Sequence, residues 1–334
     1  MLSPLPKVRR DELKGLDHSG SWNSDQGGNP ELVAQSLPPD AHPWRFMIIS
    51  SQLAANCQKT SERTIWLESL PVLLEELTDR WSLRVGPPFD HSGTCSWVAP
   101  VIRRDNAPAV LKLAMPHMEG EHEIEGLRFW NGNPTVKLIE ADDQSGAMLL
   151  ERCQPGTSLR SEPEASQDEV IARMLKRIRS ANSQSRGLQQ FRHLSEMLEV
   201  WQRGTLAQKQ NWPDAGLVHQ GLSIFERLSR PFPTNTLLAT DLHAGNVLRA
   251  EREPWLMIDP KPFVGDAAFD VVQHLINCEV RLRADPIALV NRVAGLAEVD
   301  PERARLLTFA RAAADPREDW NNVLWIEIAR KLAP

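Results

Sequence analysis

Residues 240–248 read TDLHAGNVL, and residues 255–260 read WLMIDP. The first stretch places an acid, a histidine and an amide (Asp241, His243 and Asn246) in a loop entered from the apolar run 236–239. Asp259 follows Asn246 by 13 residues, at the end of a second apolar run. A hairpin between NVLRA and PWLMI returns Asp259 to the side of Asn246. Two carboxylates and one amide then face a single point. An amide oxygen is a neutral, hard ligand for Mg²⁺, which takes one or two carboxylates and completes its shell with phosphate oxygens. The group is therefore read as a Mg²⁺–phosphate site, with Asn246 and Asp259 as metal ligands. Asp241 is placed to orient a hydroxyl and receive its proton. Each residue alone is an ordinary turn or cap former; the composite is far more specific.

The spacing Asp-x-x-x-x-Asn, with a second acid on a following strand, matches the catalytic loop of kinases. Such a site needs a cation for the phosphates. Residues 109–115, AVLKLAM, set Lys112 in an apolar strand, like the Val-Ala-Ile-Lys strand of kinases. Downstream, Glu123, Leu127 and Trp130 recur at i, i+4 and i+7 and share one helical stripe. If the two apolar residues face the core, so does Glu123, and an inward carboxylate needs a partner. Lys112 is the candidate; Glu119 is the alternative acid on that side, while Glu121 and Glu125 face water. The turn 90–97, DHSGTCSW, precedes this strand. Ser92, Gly93 and Thr94 are small enough there to bring backbone N–H groups close to phosphates. Residues 148–156, MLLERCQPG, form a connector whose backbone at Glu151–Cys153 suits an adenine edge.

The rest of the chain frames these motifs. At about 150 residues per domain, 334 residues predict two domains or lobes. Residues 1–60 are expected to form a flexible arm, because 1–45 are rich in Ser, Gly, Pro and Asp. A helix is expected over 62–81, with Ile65, Leu73, Leu74 and Leu77 as its apolar positions and Pro71 breaking or kinking it. Strand-like runs then surround one short helix at 119–132, which suggests an antiparallel sheet with one helix packed on it. From 166 onward the pattern turns helical, with helices expected at 166–182, 188–203, 213–230, 266–282, 285–297, 301–314 and 317–332. The reading is α+β: a β-rich lobe over 61–152 and a mainly helical lobe over 153–334.

Composition excludes several classes. A net charge of −6 argues against a nucleic-acid partner. No apolar run approaches the roughly 18 residues that span a bilayer, and the apolar patch at 45–57 does not fit lipoprotein processing. Cys57, Cys95, Cys153 and Cys278 are scattered, without metal-ligand or disulfide spacing, as expected of free thiols in a reducing cytoplasm.

With these residues assembled, TLLATDLHAGNVL and WLMIDPKPFVGDAAFDVVQHLINC resemble the aminoglycoside/hydroxyurea antibiotic-resistance kinases, the group that includes streptomycin 6-phosphotransferases. VLKLA, EHEIEGLRFWNG and MLLERCQPGTSL extend the resemblance over roughly 80–330. It implies a bilobal protein-kinase-like fold and ATP–Mg²⁺ chemistry on a small acceptor such as an aminoglycoside or hydroxyurea. Asp241 becomes the catalytic base, and Lys112, held by Glu123, the phosphate clamp. His243 acts on the transferred phosphate or braces the loop. Lys261 meets phosphate or substrate, Asp266 caps the following helix, and Asp270 braces the catalytic loop. Glu279, Asp285, Asp315, Glu318 and Asp319 are the acids available for a cationic acceptor. One departure stands out: relatives of the wider kinase-like group often carry His-Gly before the catalytic Asp, and this chain has Ala239-Thr240. The alternatives are a kinase of another small metabolite and a non-catalytic nucleotide-binding regulator.

Overall fold

The computed structural model describes residues 47–89, 94–182, 187–228, 230, 235–317 and 319–334. Ser92, Gly93, Glu318 and most of the expected arm lie outside the described residues.

Five antiparallel strands, β1 (Arg84–Val85), β2 (Ser96–Ile102), β3 (Pro108–Ala114), β4 (Leu138–Asp142) and β5 (Ala147–Glu151), pair in the order β1-β2-β3-β5-β4. Residues directly opposite across an antiparallel pair share a face. Trp97 pairs with Leu113, Ala99 with Leu111 and Val101 with Ala109, while Ala147 and Leu149 continue that face on β5. All are buried against two helices, α1 (Ser51–Cys57) and α2 (Ser61–Trp81). On the opposite face Val98, Lys112 and Met148 lie in one row and Val110 pairs with Leu150. Met148 and Leu150 pack there on Ile124 and Leu127 of α3 (Glu123–Trp130). A strand covered on both faces reads as a continuous apolar run. This explains AVLKLA and turns Lys112 inward, with 6% exposure.

The sheet carries helices on both faces, not one, because α1 and α2 close the side that α3 leaves open. The expected arm to residue 60 ends too late: Leu53 and Cys57 of α1 are fully buried with Leu70 and Leu74 of α2. The core stripe of α2 is Trp66, Leu70, Leu74 and Leu77, whereas Ile65 is 66% exposed and Leu73 only partly buried. Pro71 lies on the exposed side within an unbroken helix. It removes one backbone donor, but the buried residues on either side hold the turns together.

The helical part contains α4 (Glu164–Asn182), α5 (Leu194–Ala207), α6 (Ala215–Leu228), α7 (Ala268–Ile276), α8 (Glu279–Ala284), α9 (Pro286–Ala297), α10 (Pro301–Ala314) and α11 (Val323–Leu332). The run 266–282 is two helices. Its break follows Asn277, whose side-chain amide donates to the Gln273 carbonyl at 2.9 Å, an alternative to the backbone ladder. The helix α10 begins where expected, with Asp300 accepting from the Glu302 N–H and Pro301 at its first position. It is buried along most of its length. Gly221 of α6 lets the two backbones approach, since a Cβ there would lie 2.9 Å from that of Ala314. Two small hairpins sit beside this bundle: β6 (Thr236–Leu238) with β9 (Phe263–Gly265), and β7 (Val247–Leu248) with β8 (Leu256–Met257). No helix among the described residues is long and apolar enough to cross a membrane, and none of the four cysteines is paired.

Candidate active site

The hairpin expected between NVLRA and PWLMI is present: Val247 pairs with Met257 and Leu248 with Leu256. The Ile258 N–H donates to the Asn246 carbonyl at 2.9 Å, so Asp259 begins beside Asn246. The Asn246 amide nitrogen donates to the Asp241 carbonyl at 2.9 Å, which leaves the amide oxygen for the cavity. Asp270, on the first turn of α7, accepts the N–H groups of Ala239 (3.0 Å) and Thr240 (2.8 Å), so it braces the loop from below. Its burial lifts the carboxyl to about 6, against the pull of those two N–H groups. Asp266 accepts from the Ala268 N–H at 2.9 Å and caps the same helix.

Lys112 and Glu123 are brought together as the helical stripe required. The Lys112 Nζ lies 2.6 Å from both carboxylate oxygens of Glu123 and also bonds Asp259 Oδ1. Burial opposes the charge on Lys112, but Asp259 and Glu123 outweigh it and hold the ammonium above its ordinary range. Burial pushes Glu123 up to about 7, with Lys112 pulling the other way. The Asp259 carboxyl is depressed because Lys112 and Lys261 overcome its desolvation. Its side chain stays 42% exposed. Glu119, the alternative partner, instead accepts from Trp201 Nε1 at 3.3 Å.

Asp241 has a partner on each oxygen: Gln273 Nε2 donates to Oδ1 at 2.8 Å, and Lys261 Nζ lies 2.7 Å from Oδ2. His243 Nε2 is 3.8 Å from Asp241 Oδ1, while its Nδ1 accepts the Gly245 N–H at 3.0 Å. The observed bond is thus the bracing one. Burial lowers the imidazole to about 4, only partly offset by Asp241, so the ring is neutral at pH 7.

Lys112, Glu123, Asp241, His243, Asn246, Asp259, Lys261 and Thr94 line one cavity of about 130 Å³. Glu151 and Cys153 stand apart from it. The Glu151 carboxylate accepts from Arg252 at 2.8 Å and from the Lys137 N–H at 2.9 Å, tying the connector to the β7–β8 hairpin. Cys153 is half-buried against the apolar cluster that includes Met148, Leu150 and Leu256. Among the described residues, the acids expected to meet a cationic acceptor do not line this cavity. Asp315 pairs with Arg311 at 2.6 Å, Asp285 caps α9, Asp319 accepts the Asn321 N–H and Glu279 opens α8.

Sequence reasoning missed several residues that shape the site. Arg311 Nη1 donates to Gln273 Oε1 at 2.8 Å, and its guanidinium sits 4.7 Å from the Trp201 ring centroid. Nothing in the sequence near Gln273 marks it except its position one turn after Asp270. His117 lines the cavity, its imidazole lowered by burial and by Lys261. Gly126 on α3 touches the IDPKPF segment so closely that a Cβ would lie 2.3 Å from Pro262 Cγ.

The donor set suits Mg²⁺ with phosphate. Among the described residues no group of three His, Cys, Asp or Glu side chains could hold a metal alone. One half-exposed carboxylate and one free amide oxygen match an ion that draws its other ligands from phosphate and water.

A family model for aminoglycoside/hydroxyurea antibiotic resistance kinases matches residues 80–319. A streptomycin 6-kinase of Streptomyces glaucescens is 37% identical over 297 residues, covering 84% of this chain and 91% of that protein. A hydroxyurea phosphotransferase of Kitasatospora aureofaciens is 36% identical over 270 residues, covering 78% and 74% respectively. A choline kinase structure from Streptococcus pneumoniae aligns with a TM-score of 0.54 at 14% identity, covering 80% of this chain and 92% of that one. That likeness supports the protein-kinase-like fold.

Proposed function

The chain belongs to the aminoglycoside/hydroxyurea antibiotic resistance kinase family, and from that premise we propose that it moves the γ-phosphate of ATP, with Mg²⁺, to a hydroxyl of a streptomycin-type aminoglycoside or of hydroxyurea. Membership makes it a hydroxyl-directed kinase of the antibiotic-resistance class. It does not favour a non-catalytic regulator.

The observation that carries the assignment of roles is the convergence of Lys112, Asp241, Asn246 and Asp259 on one cavity. Asp241 receives the acceptor's hydroxyl proton as that oxygen bonds to the γ-phosphorus and the phosphorus–oxygen bond to ADP breaks. The Asn246 amide oxygen and the Asp259 carboxylate would hold Mg²⁺, which when bound would supply positive charge against the phosphate oxygens. Lys112, fixed by Glu123, adds a second positive charge. His243 braces the loop. The Thr94 backbone would approach the phosphates, a role the sequence also gives Ser92 and Gly93, and the Glu151–Cys153 backbone would receive the adenine edge. Val110, Cys153 and Ile258 are partly buried against one apolar cluster, which supports a flat apolar ring there. Residues 61–152 thus serve the nucleotide, and 153–334 supply the catalytic loop, the metal ligands and the acceptor site. Positioning and electrostatics supply most of the rate, as expected for phosphoryl transfer.

Acceptor choice divides on charge. Streptomycin is cationic, and among the described residues none of the large-lobe acids expected to meet it lines the cavity, which favours the neutral hydroxyurea. A panel of both acceptors with labelled ATP and purified protein tests the reading; transfer to neither would overturn it. Asp241→Ala should abolish turnover while ATP still binds, and near-normal turnover would remove Asp241 from its role. Asp259→Ala should weaken Mg²⁺-dependent nucleotide binding, and unchanged affinity would count against its role as a ligand.

A further inference from the structure

Two lysines line the cavity, and each sits on a carboxylate that the proposed transfer needs: Lys112 on Asp259 and Lys261 on Asp241. Their surroundings differ. Lys112 is fixed by Glu123, buried and 2.6 Å away at both oxygens, so its place does not depend on Asp259. Of the other acids near Lys261, Asp259 acts on it only through space, and Glu119 is 3.9 Å away, beyond hydrogen-bond reach, and is engaged by Trp201. Lys261 is therefore anchored mainly through Asp241.

This anchoring bears on Asp241. Each Asp241 oxygen, with one donor bound, keeps a lone pair, but Lys261 at 2.7 Å occupies part of the approach by which a hydroxyl would reach Oδ2. Gln273, the donor on Oδ1, is itself fixed by Arg311. Lys261, the donor on Oδ2, has a flexible four-carbon stem, three rotatable donors and a side chain 21% exposed. An arriving triphosphate presents concentrated negative charge within reach of that ammonium, and His243 and His117, whose pKa values burial lowers, do not compete for it as cations.

We infer that Lys261 is a catalytic residue that moves from Asp241 Oδ2 to the γ-phosphate oxygens when the triphosphate enters. One movement then uncovers the base and clamps the group to be transferred. Lys261 keeps its protons throughout. The acceptor hydroxyl gives its proton to the vacated Oδ2 while its oxygen takes the phosphoryl group and ADP leaves. The inference rests on the reading of this cavity as an ATP site.

The test compares ADP with a non-hydrolysable ATP analogue, each with Mg²⁺, by titration calorimetry on the full chain. Lys261→Met should lose about tenfold to a hundredfold of affinity for the triphosphate, the size of one charge-assisted hydrogen bond, and keep its affinity for ADP. Its kcat should fall as well. Lys261→Arg, which keeps the charge, should retain the preference for triphosphate over diphosphate. Equal losses for both nucleotides, or an unchanged ratio with a reduced kcat, would overturn the inference, because Lys261 would then act on Asp241 or the fold alone. If Lys261→Met fails to fold, absence of the triphosphate preference in Lys261→Arg overturns it. Lys112→Met serves as reference and should weaken both nucleotides. A wild-type chain that binds neither nucleotide refutes the ATP site itself, an outcome distinct from failure of the Lys261 variants alone.

Discussion

Gln273 is the sharpest place to perturb the site without touching a metal ligand, the proposed base or either lysine. Its amide is used at both ends: Nε2 donates to Asp241 Oδ1 at 2.8 Å, and Oε1 accepts from Arg311 Nη1 at 2.8 Å. Gln273→Leu keeps the volume nearly constant and removes both bonds. A hydrogen bond to a charged group contributes about 1.5–3 kcal/mol. If that bond sets the direction of the Asp241 carboxylate in the transition state, its loss lowers kcat by about tenfold to a hundredfold. Arg311 is not left without partners, because Asp315 still pairs with it at 2.6 Å and the Trp201 ring still lies beneath it. The fold should therefore tolerate the change, with a melting temperature only a few degrees lower. The assay is steady-state turnover at saturating acceptor and ATP, alongside nucleotide affinity and thermal unfolding. Nucleotide affinity should hold while kcat falls. A double mutant with Arg311→Lys should lose less than the sum of the single changes, since both act on one carboxylate. A correctly folded Gln273→Leu protein with kcat within about twofold of wild type would refute the argument, because Asp241 would then be oriented by the loop alone.

Gly126 offers a test of the contact between α3 and the Asp259–Lys261 segment. Gly126→Ala places a Cβ 2.3 Å from Pro262 Cγ, so one of them must move; such overpacking costs about 1–3 kcal/mol. Both stability and turnover should fall, and wild-type melting with wild-type turnover would show that the contact is slack. His274 supplies a pH prediction. It is buried with Nε2 3.0 Å from Asp168 Oδ1, and Asp168 also receives Arg281 and Arg292 from the neighbouring helices. Burial opposes the imidazolium, but the bond to Asp168 outweighs it and lifts the ring from 6.5 to about 9. A folded value above the unfolded one gives stability that is complete below pH 6.5 and is lost as pH rises through 9, roughly 3 kcal/mol in all. Urea midpoints should fall between pH 6.5 and 9 in the wild type and stay flatter in His274→Gln; parallel slopes would remove His274 as the cause.

The site was legible where chemistry and period coincide. Asp241, Asn246 and Asp259 are spaced by a loop and a short hairpin, so local geometry alone brings them together. Lys112 and Glu123 needed only strand alternation and a helical stripe. Gln273, Arg311 and Trp201 were not legible, because they come from α7, α10 and α5 and meet only through tertiary packing. The same limit explains α1. A seven-residue helix has little intrinsic stability, and Leu53 and Cys57 become core only once α2 covers the sheet. Pro71 misled in the other direction, since a local rule against helix interiors yields when the residues beside it are deeply buried. The acceptor side was not legible because charged residues on helices look alike whether they meet solvent, a cap or an arginine, as Asp285 and Asp315 do here.

The Ala239-Thr240 departure shows how a changed motif can still serve the loop. Thr240 has φ of 46°, in the left-handed region that glycine adopts freely and a β-branched residue enters only under constraint. Such strain costs on the order of 1–3 kcal/mol and persists only where neighbours over-determine the backbone. The neighbours here are identifiable. Asp270 accepts the N–H groups of Ala239 and Thr240, and the Lys261 N–H donates to the Ala239 carbonyl at 2.8 Å. The Thr240 hydroxyl also donates to the Lys261 carbonyl, a bond glycine could not make. The threonine thus exchanges conformational ease for a link between the segment carrying Asp241 and the segment carrying Lys261. Their side chains meet 2.7 Å apart just beyond that link. A glycine would relax the backbone but leave the two segments joined by one fewer bond, so the substitution that looks like a lapse in the motif also fixes the relative placement of Asp241 and Lys261.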